Sequence, residues 1–296
     1  MSSSSPTNTS FAVLGSNGRI SPYIINALSK QAGVKKVIVL SRPSSSTPDL
    51  PSNVELVHVD YNDHSALVEL FKKHSTDVVI STLPDSAVTD AQKKSALAAK
   101  EAGAKLFMPV EYGFVTIGFA QKGEPKSWAN KDEFAAFLKT IDLPYARVFT
   151  GIWNNFTGLF VGYNANQKVN IIGKGETPAS FTAQEDIGGF IAHVTTTLPM
   201  SRLAYANFRL EGDRLTLRQV AERFNKPIEF VESTPPGPMS QFRDMLQRTV
   251  EAGGGSTGWD PVKERENPAD SDDGAGSANK LWEGHVWKKV DSLELK

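Results

Sequence analysis

The sequence predicts an α/β fold: a doubly wound parallel sheet followed by a smaller C-terminal α/β portion. Short β-rich runs alternate with helical patterns through the first half of the chain, and intervening helices of about ten residues suit right-handed parallel crossovers. A glycine-bearing turn, "GSNGRISP" at residues 15–22, joins the first such run to the first helical pattern. After Gly151 the alternation becomes irregular, which marks a change of architecture.

Taken in order, the candidate strands are Phe11–Leu14, Val37–Leu40, Val54–Val59, Val78–Ser81, Leu106–Met108 and Tyr145–Phe149. They are short apolar runs of the kind buried on both faces of a parallel sheet. Between them Tyr23–Lys30, Ser65–Lys73, Thr89–Ala102 and Lys131–Thr140 carry apolar residues at helical spacing. Further on, "VNIIGKG" reads as one more strand, and "TAQEDIGGFIAHVTTTL" as a helix with acidic residues in its first turn, where the helix dipole favours them. "LTLRQVAERF" reads as a helix and "IEFVES" as a strand; "TPPGP" then breaks the chain before a helix over Met239–Val250. Gly253–Ser277 is rich in Gly, Ser and Asp and predicts a long mobile loop. In the closing "NKLWEGHVWKKV", Trp282 and Trp287 are large enough to predict packing.

The resulting division is a disordered leader at 1–10 and a nucleotide-binding domain at 11–152 with a return segment at about 169–198. Residues 153–168 and 199–296 form the second portion, with a flexible loop at about 253–277.

Composition narrows the function. The formal net charge is −1, and the longest cationic runs are pairs such as Lys35-Lys36, so no nucleic-acid partner is expected. The absence of cysteine removes disulfides, thiolate metal sites and a cysteine nucleophile, and fits a reducing compartment. No apolar run approaches the roughly 20 residues of a membrane span, and "MSSSSPTNTS" lacks the apolar core of a secretory signal. A cytoplasmic protein without a membrane partner, a monomer or homodimer, is the expectation. His58, His64, His74, His193 and His285 show no metal-ligand spacing, so no metal is expected, and His285 reads as a packed tail residue.

The glycine turn is the first functional candidate. It closes a strand and opens a helix, the context a dinucleotide-binding turn requires, and a helix N-terminus there offers N–H groups and positive dipole to a pyrophosphate. Ser21 stands where a third glycine is expected. That position serves helix–strand packing and not phosphate contact, so a small serine is tolerable, and its hydroxyl is expected to satisfy a free helix N–H. The second strand ends in Ser41 and Arg42, with no acid until Asp49. An acid there would hold a ribose 2′-hydroxyl, whereas an arginine accommodates a 2′-phosphate, so the turn predicts NADP(H), with Arg19 as a second phosphate contact.

With these residues in hand, the chain resembles the NmrA-like, isoflavone-reductase-like family of atypical short-chain dehydrogenases, from about Phe11 to Phe190. The resemblance rests on "GSNGRIS" for the family's GxxGxxG, "VELVHVDYNDHSALVELFK", "DVVISTLP" and "AKLFMPVEYG" for its (F)xPSE(F/Y)G. It rests further on "ANKDEFAAFLKTIDLPYARV" for its lysine helix and on "IIGKGETPASFTAQEDIGGFIA". It implies a Rossmann domain that binds NADPH and a smaller substrate-binding portion. The cofactor-binding residues implied are Gly15, Asn17, Gly18, Arg19 and Ile20 in the turn, Arg42, Asp60 after the third strand, Ser81, Thr82 and Leu83, then Pro109, Glu111 and Lys131. Lys131 matches the family's catalytic lysine, and Tyr112, Trp153, Asn154 and Phe156 are implied to meet a small-molecule substrate. The leader, the Gly253–Ser277 stretch and the tryptophan-bearing tail resemble fungal members more than plant ones. One departure is Val110, which replaces the serine of the family's PSE(F/Y)G and loses any hydrogen bond that serine makes.

None of the six tyrosines has a lysine four residues later, the pairing of ordinary short-chain dehydrogenases, so Lys131 acts without a local tyrosine. The resemblance implies an NADPH-dependent reductase of a conjugated or aromatic metabolite (an enone, imine, quinone or benzylic ether) in secondary metabolism. The alternative is a regulator that senses NADP(H) without turnover.

Overall fold

Apolar runs buried on both faces build the central sheet in the computed structural model, which describes residues 7–293. Strands β1 (Ser10–Leu14), β2 (Lys36–Ser41), β3 (Val54–His58), β4 (Val78–Ser81) and β5 (Leu106–Met108) pair in parallel in the order β3-β2-β1-β4-β5. Every residue of β1, β4 and β5 is buried, and only the edge strand β3 is half-open. The crossovers are α1 (Ser21–Lys30), α2 (His64–Lys73), α3 (Ala91–Ala102) and α4 (Lys126–Thr140). Asp63 caps α2 by accepting from the Ala66 N–H, and Gly103, at φ +87°, ends α3.

Two differences from the sequence reading matter for the site. Helix α4 starts at Lys126, five residues before the expected Lys131, because Pro125 opens it and Trp128 and Ala129 already pack inward. Lys131 therefore lies in the second turn and not at the helix start. The sixth strand, β6 (Ala146–Phe149), pairs separately, and only Tyr145 bridges to Phe107 of the main sheet.

The chain divides into two compact units. The first comprises the chain up to Glu111, then Gly118–Arg147 and Ile187–Asn207; the second comprises Tyr112–Ile117, Val148–Asp186 and the chain from Phe208. The return segment thus begins at Ile187, not near 169. Residues 1–6 of the expected disordered leader lie outside the described residues, and the rest of it is packed. Thr7 N–H donates to the Thr196 carbonyl at 2.9 Å, and Asn8 is fully buried with its Nδ2 on the Thr195 carbonyl. The N–H groups of Thr9 and Ser10 both donate to Asp77. Burial opposes the Asp77 charge, but Lys105 at 2.8 Å and these N–H donors outweigh it and hold the carboxyl below its ordinary range.

Helix α5 (Gln184–Thr197) carries the return segment against α1. In the second unit β7 (Ile152–Trp153), β9 (Ala179–Thr182) and β11 (Asp213–Leu215) form one sheet in the order β11-β9-β7. Strand β8 (Val169–Ile171) pairs in parallel with β12 (Ile228–Phe230), and β10 (Ala206–Arg209) pairs with β6. These pairings of β8 and β9 are what tie residues 169–186 to the second unit. Helices α6 (Leu217–Arg223) and α7 (Ser240–Glu251) complete it.

The stretch Gly253–Ser277, expected as a structureless mobile loop, is folded. It contains a hairpin of β13 (Trp259–Asp260) and β14 (Arg265–Glu266), and Thr257 is fully buried. Its glycines are there for close approach: a Cβ on Gly253 would lie 2.3 Å from the Trp259 ring, and one on Gly255 would lie 2.7 Å from Val250. Ser180 fastens the segment, its N–H donating to the Gly255 carbonyl and its Oγ accepting from Thr257 N–H. Among the described residues no helix is long and apolar enough to cross a membrane.

The α1–α5 contact gives a test of the first unit. A Cβ on Gly188 would stand 2.5 Å from the Tyr23 carbonyl oxygen, so backbone would have to move. Gly188→Ala is expected to cost about 1–3 kcal/mol, read as a lower urea midpoint with an unchanged slope.

Candidate active site

The glycine turn is built from hydrogen bonds that converge on two carbonyls. Gly15, at φ +90°, donates its N–H to the Leu40 carbonyl at 2.9 Å, and the Tyr61 hydroxyl donates to the same oxygen at 3.0 Å. Burial pushes the Tyr61 phenol above its ordinary pKa, so it stays a neutral donor. Thr82 donates its N–H and its hydroxyl to the Leu14 carbonyl, both at 2.9 Å. With the Thr82 proton directed there, its oxygen accepts from Ser21 Oγ at 2.7 Å.

The Ser21 hydroxyl therefore does not satisfy a helix N–H, as the sequence reading expected. Helix α1 has no side-chain cap and no acidic residue in its first turn, so its positive end is left to an anion. Gly18 is tightly enclosed: a Cβ would lie 3.0 Å from Ser21 Oγ and 3.2 Å from the Thr82 carbonyl oxygen, so a neighbour would have to give. Around the turn Ile20 is buried, while Asn17, Arg19 and Arg42 are exposed. Asn17 Nδ2 donates to the Ser46 carbonyl at 3.1 Å, and the buried hydroxyls of Ser16 and Ser41 meet at 3.1 Å. Asp60 accepts from the Asn62 N–H and side-chain amide at 2.9 Å, so it shapes a turn after β3.

A second group forms in the same unit around Lys131. Its side chain is 8% exposed, and Nζ lies 2.9 Å from Asp85 Oδ1 and 3.5 Å from the Glu111 carbonyl oxygen. It is not a solvated helix lysine. The Glu111 carboxylate is fully buried and accepts from Arg147 Nε at 2.8 Å, while Arg147 Nη1 reaches Asp132 at 3.1 Å. Asp132 also accepts from the N–H groups of Gly118 and Ala120. Burial opposes the Arg147 charge, but Glu111 and Asp132 outweigh it and hold the guanidinium pKa above its ordinary value. Ser81, Leu83 and Pro109 are buried nearby in sequence, and Ser81 Oγ has no hydrogen-bond partner among the described residues. Val110, which replaces the expected serine, is buried, and its N–H is satisfied by Gln92 Oε1 at 3.0 Å.

The second unit holds the other candidates. Trp153 Nε1 donates to the Tyr112 carbonyl at 2.7 Å, and Tyr112 sits in the left-handed region at φ +49°. Asn154 Nδ2 donates to the Lys289 carbonyl at 3.2 Å, so its amide is engaged with the C-terminal tail. Phe156 lies 6.3 Å from Phe160, ring to ring. His285 is packed as expected: it stacks on Trp282 at 3.6 Å, meets Trp287 edge-on and reaches Asp186 at 3.0 Å. No group of three or more metal-ligating side chains occurs among the described residues.

Sequence reasoning missed Tyr61, Asp85 and Arg147. Tyr61 and Asp85 lie in stretches that were singled out or directly beside them, "VHVDYND" and "STLP" followed by Asp85. Arg147 left a fainter signal, an arginine inside an otherwise apolar strand, where an unpaired charge is too costly to bury.

The chain is similar to known proteins over most of its length. Residues 7–250 match the NmrA-like family. The chain is 27% identical over 235 residues to an isoflavone reductase homolog of Arabidopsis thaliana, covering 73% of this chain and 74% of that one. It is 31% identical over 235 residues to a phenylcoumaran benzylic ether reductase of Pyrus communis, covering 73% of each. Its fold is similar to that of the binary complex of leucoanthocyanidin reductase with NADPH from Vitis vinifera. The TM-score is 0.70 at 17% identity, over 95% of this chain and 96% of the other.

Replacing Arg147 leaves two carboxylates without their cation. Arg147→Met is expected to destabilise the fold by about 3–5 kcal/mol, the cost of breaking a buried pair from one side, measured by chemical denaturation.

Proposed function

We propose that this chain, which belongs to the NmrA-like family, is an NADPH-dependent reductase of a conjugated or aromatic small molecule, with Lys131 as its proton donor. The observation that carries this reading is the lysine itself. A charged side chain held nine-tenths buried, on the carboxyl side of a parallel sheet whose first turn suits a pyrophosphate, supports a role in proton transfer. Relatives named isoflavone reductase homolog and phenylcoumaran benzylic ether reductase support an oxidoreductase, and a like fold in complex with NADPH supports the cofactor.

In this reading Gly15 and Gly18 let the backbone approach the pyrophosphate at the uncapped end of α1, and Arg19 and Arg42 face the adenosine phosphate. Asn17 and Ile20 shape the turn, and Asp60 the loop beside it. Ser81, Thr82, Leu83, Pro109 and Glu111 line the path of the nicotinamide half. When bound, NADPH supplies the hydride. Lys131 Nζ gives a proton, directly or through one water, to the oxygen or nitrogen that gains the electron pair. Trp153 and Phe156 offer aromatic faces to the substrate, with Tyr112 and Asn154 beside them.

The reading is tested by NADPH oxidation with a panel of enones, imines, quinones and benzylic ethers. Substrate-dependent oxidation supports it; tight NADPH binding with no turnover across the panel favours an NADP(H)-sensing regulator.

Two variants sharpen the assignment. Arg42→Ala is expected to weaken NADPH by about 1.5–3 kcal/mol, the range for hydrogen bonds to a charged group, and to leave NADH nearly unchanged in calorimetric titration. Equal losses would remove Arg42 from the 2′-phosphate. Lys131→Met keeps the apolar stem but no proton, so NADPH binding is expected to survive while kcat falls roughly 10²-fold. Unchanged kcat on a reduced panel member would remove Lys131 from the reaction.

A further inference from the structure

We propose that the Asp85 carboxylate is the positioning residue of Lys131: it fixes the ammonium so that one N–H is presented to the substrate. The inference rests on the reading of Lys131 as proton donor. A lysine ammonium has three N–H donors on a flexible stem. Two directions are taken here, toward Asp85 Oδ1 at 2.9 Å and toward the Glu111 carbonyl oxygen at 3.5 Å. Two fixed acceptors from separate elements choose one rotamer out of many, and the third N–H is left over for transfer.

Asp85 is itself well fixed. It follows Pro84 and opens the short 3₁₀ turn Asp85–Ala87, closed by Ala87 N–H on the Pro84 carbonyl at 2.8 Å. The same loop is pinned three residues earlier, where Thr82 bonds the Leu14 and Gly15 carbonyls. The neighbouring acids are committed elsewhere, since Glu111 and Asp132 both pair with Arg147. Asp85 is 42% exposed and Lys131 only 8%, so the carboxylate both compensates a buried ammonium and fixes where it points. The proton balance is simple. Lys131 gives one proton as the substrate gains hydride, Asp85 takes no part in the transfer, and solvent restores the ammonium.

The test uses the full chain with NADPH and whichever benzylic ether or quinone the wild type reduces. Asp85→Asn keeps the shape and removes the charge. Loss of a charge-assisted contact predicts a fall in kcat of about tenfold, with KM and the NADPH Kd within about twofold. Asp85→Glu should restore part of kcat. A second readout needs no substrate: acetic anhydride labelling of Lys131, followed by peptide mass spectrometry, should be faster in Asp85→Asn. Unchanged or increased kcat in Asp85→Asn, in a protein where Lys131→Met loses turnover, overturns the proposal and leaves the donor reading intact. Unchanged labelling overturns it as well. Turnover that survives Lys131→Met sinks the donor reading instead, and the labelling then decides alone whether Asp85 holds the side chain.

Discussion

Arg147 is the constraint on which the geometry around Lys131 depends. Its guanidinium is 3% exposed, a placement that costs several kcal/mol in lost hydration unless partners compensate. The partners come from two different elements. Glu111 follows β5, Asp132 lies on α4, and Arg147 stands on β6 between them. Because a guanidinium is planar and its donors are fixed, it sets the distance and the angle between the elements it joins. Asp132 adds the N–H groups of Gly118 and Ala120, so the loop before α4 is drawn into the same arrangement. One residue before Asp132, Lys131 inherits that placement, and the backbone carbonyl it meets belongs to Glu111. The ion triad and the buried lysine thus share a frame.

What was legible in the sequence was whatever has a period or a local signature. The five parallel strands and four crossover helices follow from short apolar runs and helical spacing, and their ends moved by a residue or two. The larger shift is at the start of α4, where the helical pattern reads from Lys131 although Pro125 and the buried Trp128 belong to the helix opening. Gly253–Ser277 failed for a different reason. Glycine lowers the cost of disorder and of close packing alike, and composition cannot tell which use is made; the Trp259 ring over Gly253 decides it. At the candidate site, the glycine turn and Lys131 stood out because each sits in a local pattern. Tyr61, Asp85 and Arg147 act through partners 15 or more residues away, as in Tyr61 to Leu40 and Arg147 to Asp132, and no local pattern encodes those pairs.

Ser21 shows how a departure from a motif is absorbed. A glycine there would let helix and strand approach with nothing between them. The serine fills that gap and turns the contact into a hydrogen bond with Thr82 at 2.7 Å. Thr82 is in turn fixed to the carbonyls of Leu14 and Gly15, at the end of β1 and the start of the turn. So the loop after β4 is tied to the phosphate-binding turn by side chains as well as by packing. Three residues further along that loop, Asp85 reaches Lys131. The segment Ser81–Asp85 therefore connects the proposed pyrophosphate site to the proposed proton donor through covalent backbone and three side-chain hydroxyl contacts. Displacement of Thr82 is accordingly expected to be felt at Asp85, three residues along the same loop.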